Sequence, residues 1–291
     1  MGSVIRLRAF AKINYALAVL GLRDDGYHEV ATVMQSISLT DEIEIEKTDS
    51  GFGLVVEPEW VEVGPLEKNT AYRAWSLLGE VVDEELPTKV RLYKKIPSGA
   101  GLGGASADAA AILVGLNELF GIGLGVRELQ NIGARIGADV PFCITGGTAL
   151  GEGIGERLTE LPAPPDHHLL LLKPESGAET AHIYRAYDER PAKEITSVES
   201  AIAALEKGDI RALASSLGND LASITREFVP EVSEYEKELL RKRVLGACMS
   251  GTGTAVYGVF SNEKEARAAA ARLTAPFVGV HSPVTLGVEI I

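Results

Sequence analysis

The stretch "IPSGAGLGGASADAA", Ile96–Ala110, decides how the chain is read. Four glycines fall within six residues and lead directly into an alanine-rich run that reads as a helix. Glycine loses more conformational freedom on folding than any other residue, so such a cluster costs stability unless the backbone there must do something special. Glycines let successive backbone N–H groups converge on an anion, and a helix start adds the positive end of its dipole. The small residues Ala105, Ser106 and Ala107 leave room for a phosphate chain, and the Ser106 hydroxyl can reach a phosphate or a bound magnesium ion. Two other phosphate loops fit less well. "GAGLGG" matches the dinucleotide fingerprint G-x-G-x-x-G, but the segment that follows, "GIGLGVREL", is a loop running into another helix rather than a second strand ending in an acid. No Lys-Ser or Lys-Thr follows the glycines, so the P-loop pattern fails as well.

The flanks place this loop between a strand and a helix. "TKVRLYKK" alternates like a strand and enters the loop; Ala105–Phe120 and Val126–Ile136 are expected helices. "VIRLRAFAKINYALAVL", Val4–Leu20, is a long expected strand. Ile5, Leu7, Ala9, Ala11 and Ile13 fall on one face, and Arg6, Arg8, Phe10, Lys12 and Asn14 on the other. "VATVMQSISL" and "EIEIEK" read as two strands, "NTAYRAWSLLGEVV" as a helix capped by Asn69 or Thr70, and "ADVPFCI" as a buried turn before another strand. Three prolines in "LPAPPDHH" mark an expected boundary, giving lobes 1–160 and 161–291. Beyond it come "LLLLK", several helices, and a strand–turn–strand unit in which Ser250, Gly251, Thr252 and Gly253 make the turn. Strands and helices mix without strict alternation, so the expected class is α+β in two lobes.

Composition narrows the function. Hydrophobic residues make up 46% of the chain and charged residues 24%, a globular balance rather than a disordered one. No apolar run reaches the ~18 residues of a membrane span, and the N-terminal residues carry no apolar signal core. Cys143 and Cys248 lie in apolar surroundings without metal-ligand spacing, as expected of reduced thiols in the cytoplasm. The net charge of −13 argues against a nucleic-acid partner. It also means that an anionic ligand would require a local source of positive potential, which the glycine loop can supply.

The loop resembles the phosphate loop of the galactokinase, homoserine kinase, mevalonate kinase and phosphomevalonate kinase (GHMP) superfamily. "AKINYALAVLGLRDDGYHE", "GADVPF" with "GGTALGEGIGE", and "MSGTGTAVYGVF" follow in the same order and spacing as in its branch that acts on a diphosphocytidyl-linked methylerythritol. The resemblance implies a two-lobed α+β kinase with its active site in the inter-lobe cleft. ATP would be the phosphoryl donor, with Mg2+, and the 2-hydroxyl of the methylerythritol the acceptor, in the non-mevalonate isoprenoid route. It implies Lys12 and Asp139 as the catalytic pair. ATP would bind along Pro97, Ser98, Gly99, Ala100, Gly101, Leu102, Gly103, Gly104, Ala105, Ser106 and Ala107, with Ser106 toward the metal. Asn14, Tyr27, His28 and Thr180 would meet the substrate, Tyr27 stacking near the cytosine and His28 hydrogen-bonding it. Ser250–Gly253 would close the cleft. The commonest family loop reads "GLGGGSSDAA"; here Ala105 and Ala107 replace a glycine and a serine. Another GHMP small-molecule kinase of mevalonate or homoserine type, or a silent nucleotide-binding protein on the same fold, are the alternatives.

Overall fold

The computed structural model describes residues 3–58, 65–190 and 196–291. Its strands are β1 (Val4–Leu22), β2 (His28–Lys47), β3 (Phe52–Glu57), β4 (Thr88–Tyr93), β5 (Thr148–Glu152), β6 (Arg157–Glu160), β7 (His168–Lys173), β8 (Gly218–Asn219), β9 (Gly246–Met249), β10 (Val256–Phe260), β11 (Phe277–His281) and β12 (Val288–Ile290). The α-helices are α1 (Thr70–Val82), α2 (Gly104–Phe120), α3 (Val126–Ala134), α4 (Val140–Thr145), α5 (Thr180–Glu189), α6 (Val198–Glu206), α7 (Ile210–Ser215), α8 (Ala222–Phe228), α9 (Glu231–Leu240) and α10 (Glu263–Ala270). One sheet runs β12-β1-β2-β4-β3, with β5 on β2, β6 on β5 and β8 on β1; the other runs β11-β7-β10-β9.

The unalternating "LLLLK" is a strand because both of its faces are covered. Leu169 and Leu171 join the large core shared with the first sheet, and Leu170 and Leu172 join a second core against α9 and α10. The same holds for the middle of β1, where both faces are covered: Phe10, Lys12 and Asn14 are buried together with Leu7, Ala9, Ala11 and Ile13. The glycine loop covers that face, the Lys12 N–H donating to the Leu102 carbonyl at 2.9 Å. From the second sheet, the Tyr257 hydroxyl donates to the Asn14 carbonyl at 2.8 Å. Arg6 and Arg8, further along, remain on the surface in ion pairs with Glu44 and Glu289.

Helix α2 is the central element. Ala107, Ala109, Ala110, Ala111, Ile112, Leu113 and Leu116 are all buried, because the helix lies on β1 and β2 and is covered by α1 and α4. A helix that is apolar all round is a core helix, and alanine lets its neighbours approach closely. Several boundaries differ from the sequence reading, including these three. β2 is one continuous strand where two were expected, α3 stops at Ala134, and "VPFCIT" is a short helix rather than a turn. In that helix all five residues from Val140 to Ile144 are buried, so packing fixes a conformation that six residues could not hold alone.

Candidate active site

The glycine loop opens onto a cleft of about 1,080 Å³ that also receives Lys12, Asn14, His28, Asp139, Thr180 and the Gly251–Gly253 turn. Gly99, Gly101 and Gly103 adopt left-handed φ values of 58°, 73° and 72°, while Ala100 and Leu102 between them do not. Such alternation turns successive N–H groups to one side and makes a concave anion site. The carbonyls turn the other way and are used. Gly99 O accepts from Ala178 and Thr254, Ala100 O from Ala255, Gly101 O from Ser250 Oγ, and Leu102 O from Lys12. The N–H groups of Gly99 to Gly103 donate to no protein acceptor among the described residues. The loop thus carries a row of unspent donors at the N-terminus of α2.

The charge puzzle resolves locally. Lys12, Lys68, Arg73, Lys94, Arg135 and Arg185 line the cleft, against the carboxylates of Asp108, Asp139 and Asp188. Lys12 is 4% exposed. Its Nζ donates to Asn14 Oδ1 at 2.9 Å and lies 3.4 Å from Asp139 Oδ2. Asn14 is itself held, its Nδ2 donating to Thr32 Oγ1 at 2.7 Å and Thr32 donating to Ala16 O at 2.8 Å. A chain of fixed partners therefore aims the ammonium. Asp139 stands at the head of α4 but makes no capping bond. The turn-forming role common for an aspartate at such a junction is not the one it plays, and its carboxylate faces the cleft instead. Ser106, in the first turn of α2, also lines the cleft. The Cβ that Gly137 lacks would lie 3.9 Å from its Oγ, so Ser106 faces the Gly137–Asp139 segment.

Sequence reasoning missed the support beneath the loop. Lys94 Nζ lies 2.5 Å from both Asp41 Oδ2 and Asp108 Oδ2. Asp41 Oδ1 also accepts the N–H of Lys95 at 2.5 Å and of Ile96 at 2.9 Å. One ammonium thus ties β2, the root of the loop and α2 together. Burial pushes the Asp108 carboxyl well above the usual carboxylate range, against the opposite pull of the Lys94 charge. The available signal was an acid at mid-strand in β2 and another inside an alanine helix.

Of the residues expected to meet the substrate, His28 is buried and Tyr27 is 60% exposed, and both line the cleft. His28 Nε2 lies 2.6 Å from Asp188 Oδ1, and its ring stacks on Tyr184 at 4.7 Å between centroids and 27° between planes. Thr180, Tyr184 and Asp188 are four residues apart along α5 and so share one helix face. That spacing, starting from Thr180, was the signal that could have found Tyr184 and Asp188. Thr180 Oγ1 meets Thr252 Oγ1 at 3.2 Å, joining α5 to the Ser250–Gly253 turn. Burial, and the nearby Asp139 charge, push the Tyr184 hydroxyl well above the ordinary phenol range, so it stays protonated.

The chain is similar to known proteins. Residues 69–147, which hold the loop and Asp139, match the family described as GHMP kinases N terminal domain, and residues 201–279 match GHMP kinases C terminal. The chain is 43% identical over 267 residues to the 4-diphosphocytidyl-2-C-methyl-D-erythritol kinase of Caldicellulosiruptor saccharolyticus, covering 92% of each chain. It is 43% identical over 262 residues to the enzyme of the same name from Acetivibrio thermocellus, covering 90% of this chain and 92% of that one. A crystal structure of a 4-(cytidine 5'-diphospho)-2C-methyl-D-erythritol kinase superposes with a TM-score of 0.80 at 32% identity, over 96% of this chain and 98% of that one. A homoserine kinase from Cytophaga hutchinsonii superposes with a TM-score of 0.78 at 20% identity, over 100% of this chain and 98% of that one; this likeness is one of fold.

Proposed function

This chain belongs to the 4-diphosphocytidyl-2-C-methyl-D-erythritol kinases of the GHMP kinase family, and we propose that Lys12, Asp139 and the glycine loop carry its reaction. It is an ATP-dependent kinase that phosphorylates 4-diphosphocytidyl-2-C-methyl-D-erythritol in isoprenoid precursor synthesis. The acceptor is the 2-hydroxyl, and the products are the 2-phosphate and ADP. The observation that carries the reading is the buried Lys12, 3.4 Å from Asp139, in the same cleft as the unspent N–H groups of Gly99–Gly103.

Phosphoryl transfer asks little covalent chemistry of the protein, so position and charge dominate. The triphosphate lies along Pro97–Ala107, its oxygens taking the free N–H groups. Asp139 orients the acceptor hydroxyl and receives its proton as the O–P bond forms. Lys12 keeps that carboxylate in place and faces the developing charge. Asn14 and Thr180 border the acceptor, Tyr27 and His28 the cytosine, and Ser250–Gly253 the phosphates from the second lobe. A division at 160/161 would set the loop and the catalytic pair in the first lobe and the closing turn in the second, with β8 and β12 returning to the sheet of the first. Among the described residues no group of three or more His, Cys, Asp or Glu could hold a metal ion. Ser106 Oγ, with no protein partner among them, faces the catalytic segment. That donor set fits Mg2+, which keeps waters and binds through few protein oxygens plus the substrate phosphates. Ser106 would hold the ion, which offsets charge on the β- and γ-phosphates when bound.

Among the described residues no helix is long and apolar enough to cross a membrane. The free, buried Cys143 and Cys248 suit the cytoplasm; burial pushes the Cys248 thiol up to about 12. The deciding experiment is ADP release from ATP with the diphosphocytidyl acceptor, mevalonate or homoserine. Turnover is expected with the first alone. Preference for either of the others would overturn the substrate assignment, and no release with any of them would favour a silent nucleotide-binding protein.

A further inference from the structure

We propose that Asp188 is a positioning residue that makes this enzyme read cytosine rather than uracil, by fixing which nitrogen of the His28 ring carries the proton. The inference rests on the reading above that His28 meets the base.

His28 Nε2 lies 2.6 Å from Asp188 Oδ1. An ionised carboxylate only accepts, so Nε2 must be the donor. In the neutral imidazole the other nitrogen, Nδ1, is then an acceptor with a free lone pair. Nδ1 has no hydrogen-bond partner among the described residues, and His28 lines the cleft. The ring has little freedom to exchange its two nitrogens. It is 8% exposed and lies flat on Tyr184, which stands one helical turn from Asp188 on α5. One helix therefore supplies both the stacking surface and the carboxylate that sets the tautomer.

An acceptor at this place has one match on the pairing edge of cytosine, the exocyclic amine. Uracil carries a carbonyl oxygen at that position. With the ring locked, cytosine gives an N–H···N bond, whereas uracil opposes two lone pairs and leaves both without a partner. A site built to hydrogen-bond one group rejects an analogue that lacks it strongly, because its own polar group is then unpaired. Without Asp188 the tautomer is free, and Nδ1 can carry the proton and donate to the uracil oxygen.

The test measures kcat/KM with the cytidyl substrate and with its uridyl counterpart, for the wild type, Asp188→Ala, Asp188→Glu and His28→Ala. Asp188→Ala is expected to lower the cytidyl-to-uridyl ratio at least ~10-fold, chiefly through KM for the cytidyl substrate. Asp188→Glu, which keeps the acceptor, is expected to restore part of it. In the wild-type protein, nitrogen NMR of labelled histidine should show the His28 proton on Nε2 only, a measurement independent of how any variant folds. A proton on Nδ1, or on both nitrogens, overturns the proposal. So does an unchanged ratio in Asp188→Ala; if His28→Ala still abolishes cytidyl use, the base reading survives and only the role of Asp188 falls. If His28→Ala leaves cytidyl use intact, the base reading falls and takes this inference with it.

Discussion

Lys12 shows how a residue acquires its task from its surroundings. In sequence it shares a strand face with Arg6 and Arg8, and nothing local separates it from two surface arginines. In the fold it is 4% exposed, and Asn14 and Asp139 share its ammonium. Asp139 differs in a complementary way, since an aspartate before a helix ordinarily caps it and this one does not. Its carboxylate, 3.4 Å from the Lys12 ammonium, is the group we propose for the reaction. Asp139→Asn is therefore expected to lower kcat at least ~10²-fold while KM for ATP stays near normal. Steady-state kinetics would check it, and unchanged turnover would remove Asp139 from the mechanism. The motif "GADVPF" made Asp139 legible in the sequence; Asp108 and Lys94 were not, because the partners that give them meaning are 53 and 14 residues away along the chain.

At the scale of the element, the two sides of the glycine loop are divided: its carbonyls are spent on the protein, while the N–H groups of Gly99–Gly103 have no acceptor among the described residues. Gly101 sits where the division is tightest. A Cβ there would lie 2.0 Å from the Ser250 carbonyl oxygen, and its φ is 73°. The left-handed conformation alone costs an alanine about 1–2 kcal/mol. Gly101→Ala is thus expected to push the Ser250–Gly253 turn off the loop and raise KM for ATP about 10-fold or more, a change that nucleotide titration would also report. Gly115 plays a packing role in α2, where a Cβ would meet Ile45 Cδ1 at 2.6 Å and Leu7 Cδ1 at 2.9 Å. Gly115→Val should overpack this contact by about 1–3 kcal/mol. Calorimetry would show the lower Tm, with KM for ATP little changed. Helix α2 was legible from its alanine run. The cleft face of α5 was not, because the sequence offered Thr180 without the stacked His28 that reveals Tyr184 and Asp188 as its companions.

Across the whole molecule, charge and pH act through burial. In a chain of net charge −13, six cationic side chains and the glycine loop line one cleft, which is where we propose that the anion binds. Burial lowers the His281 ring from its ordinary 6.5 to about 4 and lowers the His167 ring as well. Below pH 6.5 the unfolded chain takes up a proton at His281 that the folded chain refuses until about pH 4, so stability is lost as pH falls through that interval. Tm measured from pH 7 to pH 4 is expected to fall less steeply in His281→Gln than in the wild type; parallel curves would remove His281 from the acid response. The sequence by itself determined the α+β class, the phosphate loop and the motifs that mark the kinase, because backbone freedom, periodicity and motif spacing are written in neighbouring residues. Only the tertiary structure decided that both faces of β1 are buried between Ala9 and Val19, that Asp139 is unspent as a cap, and that Asp188 holds His28. Each of these depends on which distant segments exclude water from a side chain and which polar atom is left to pair with it, and chain order does not record that.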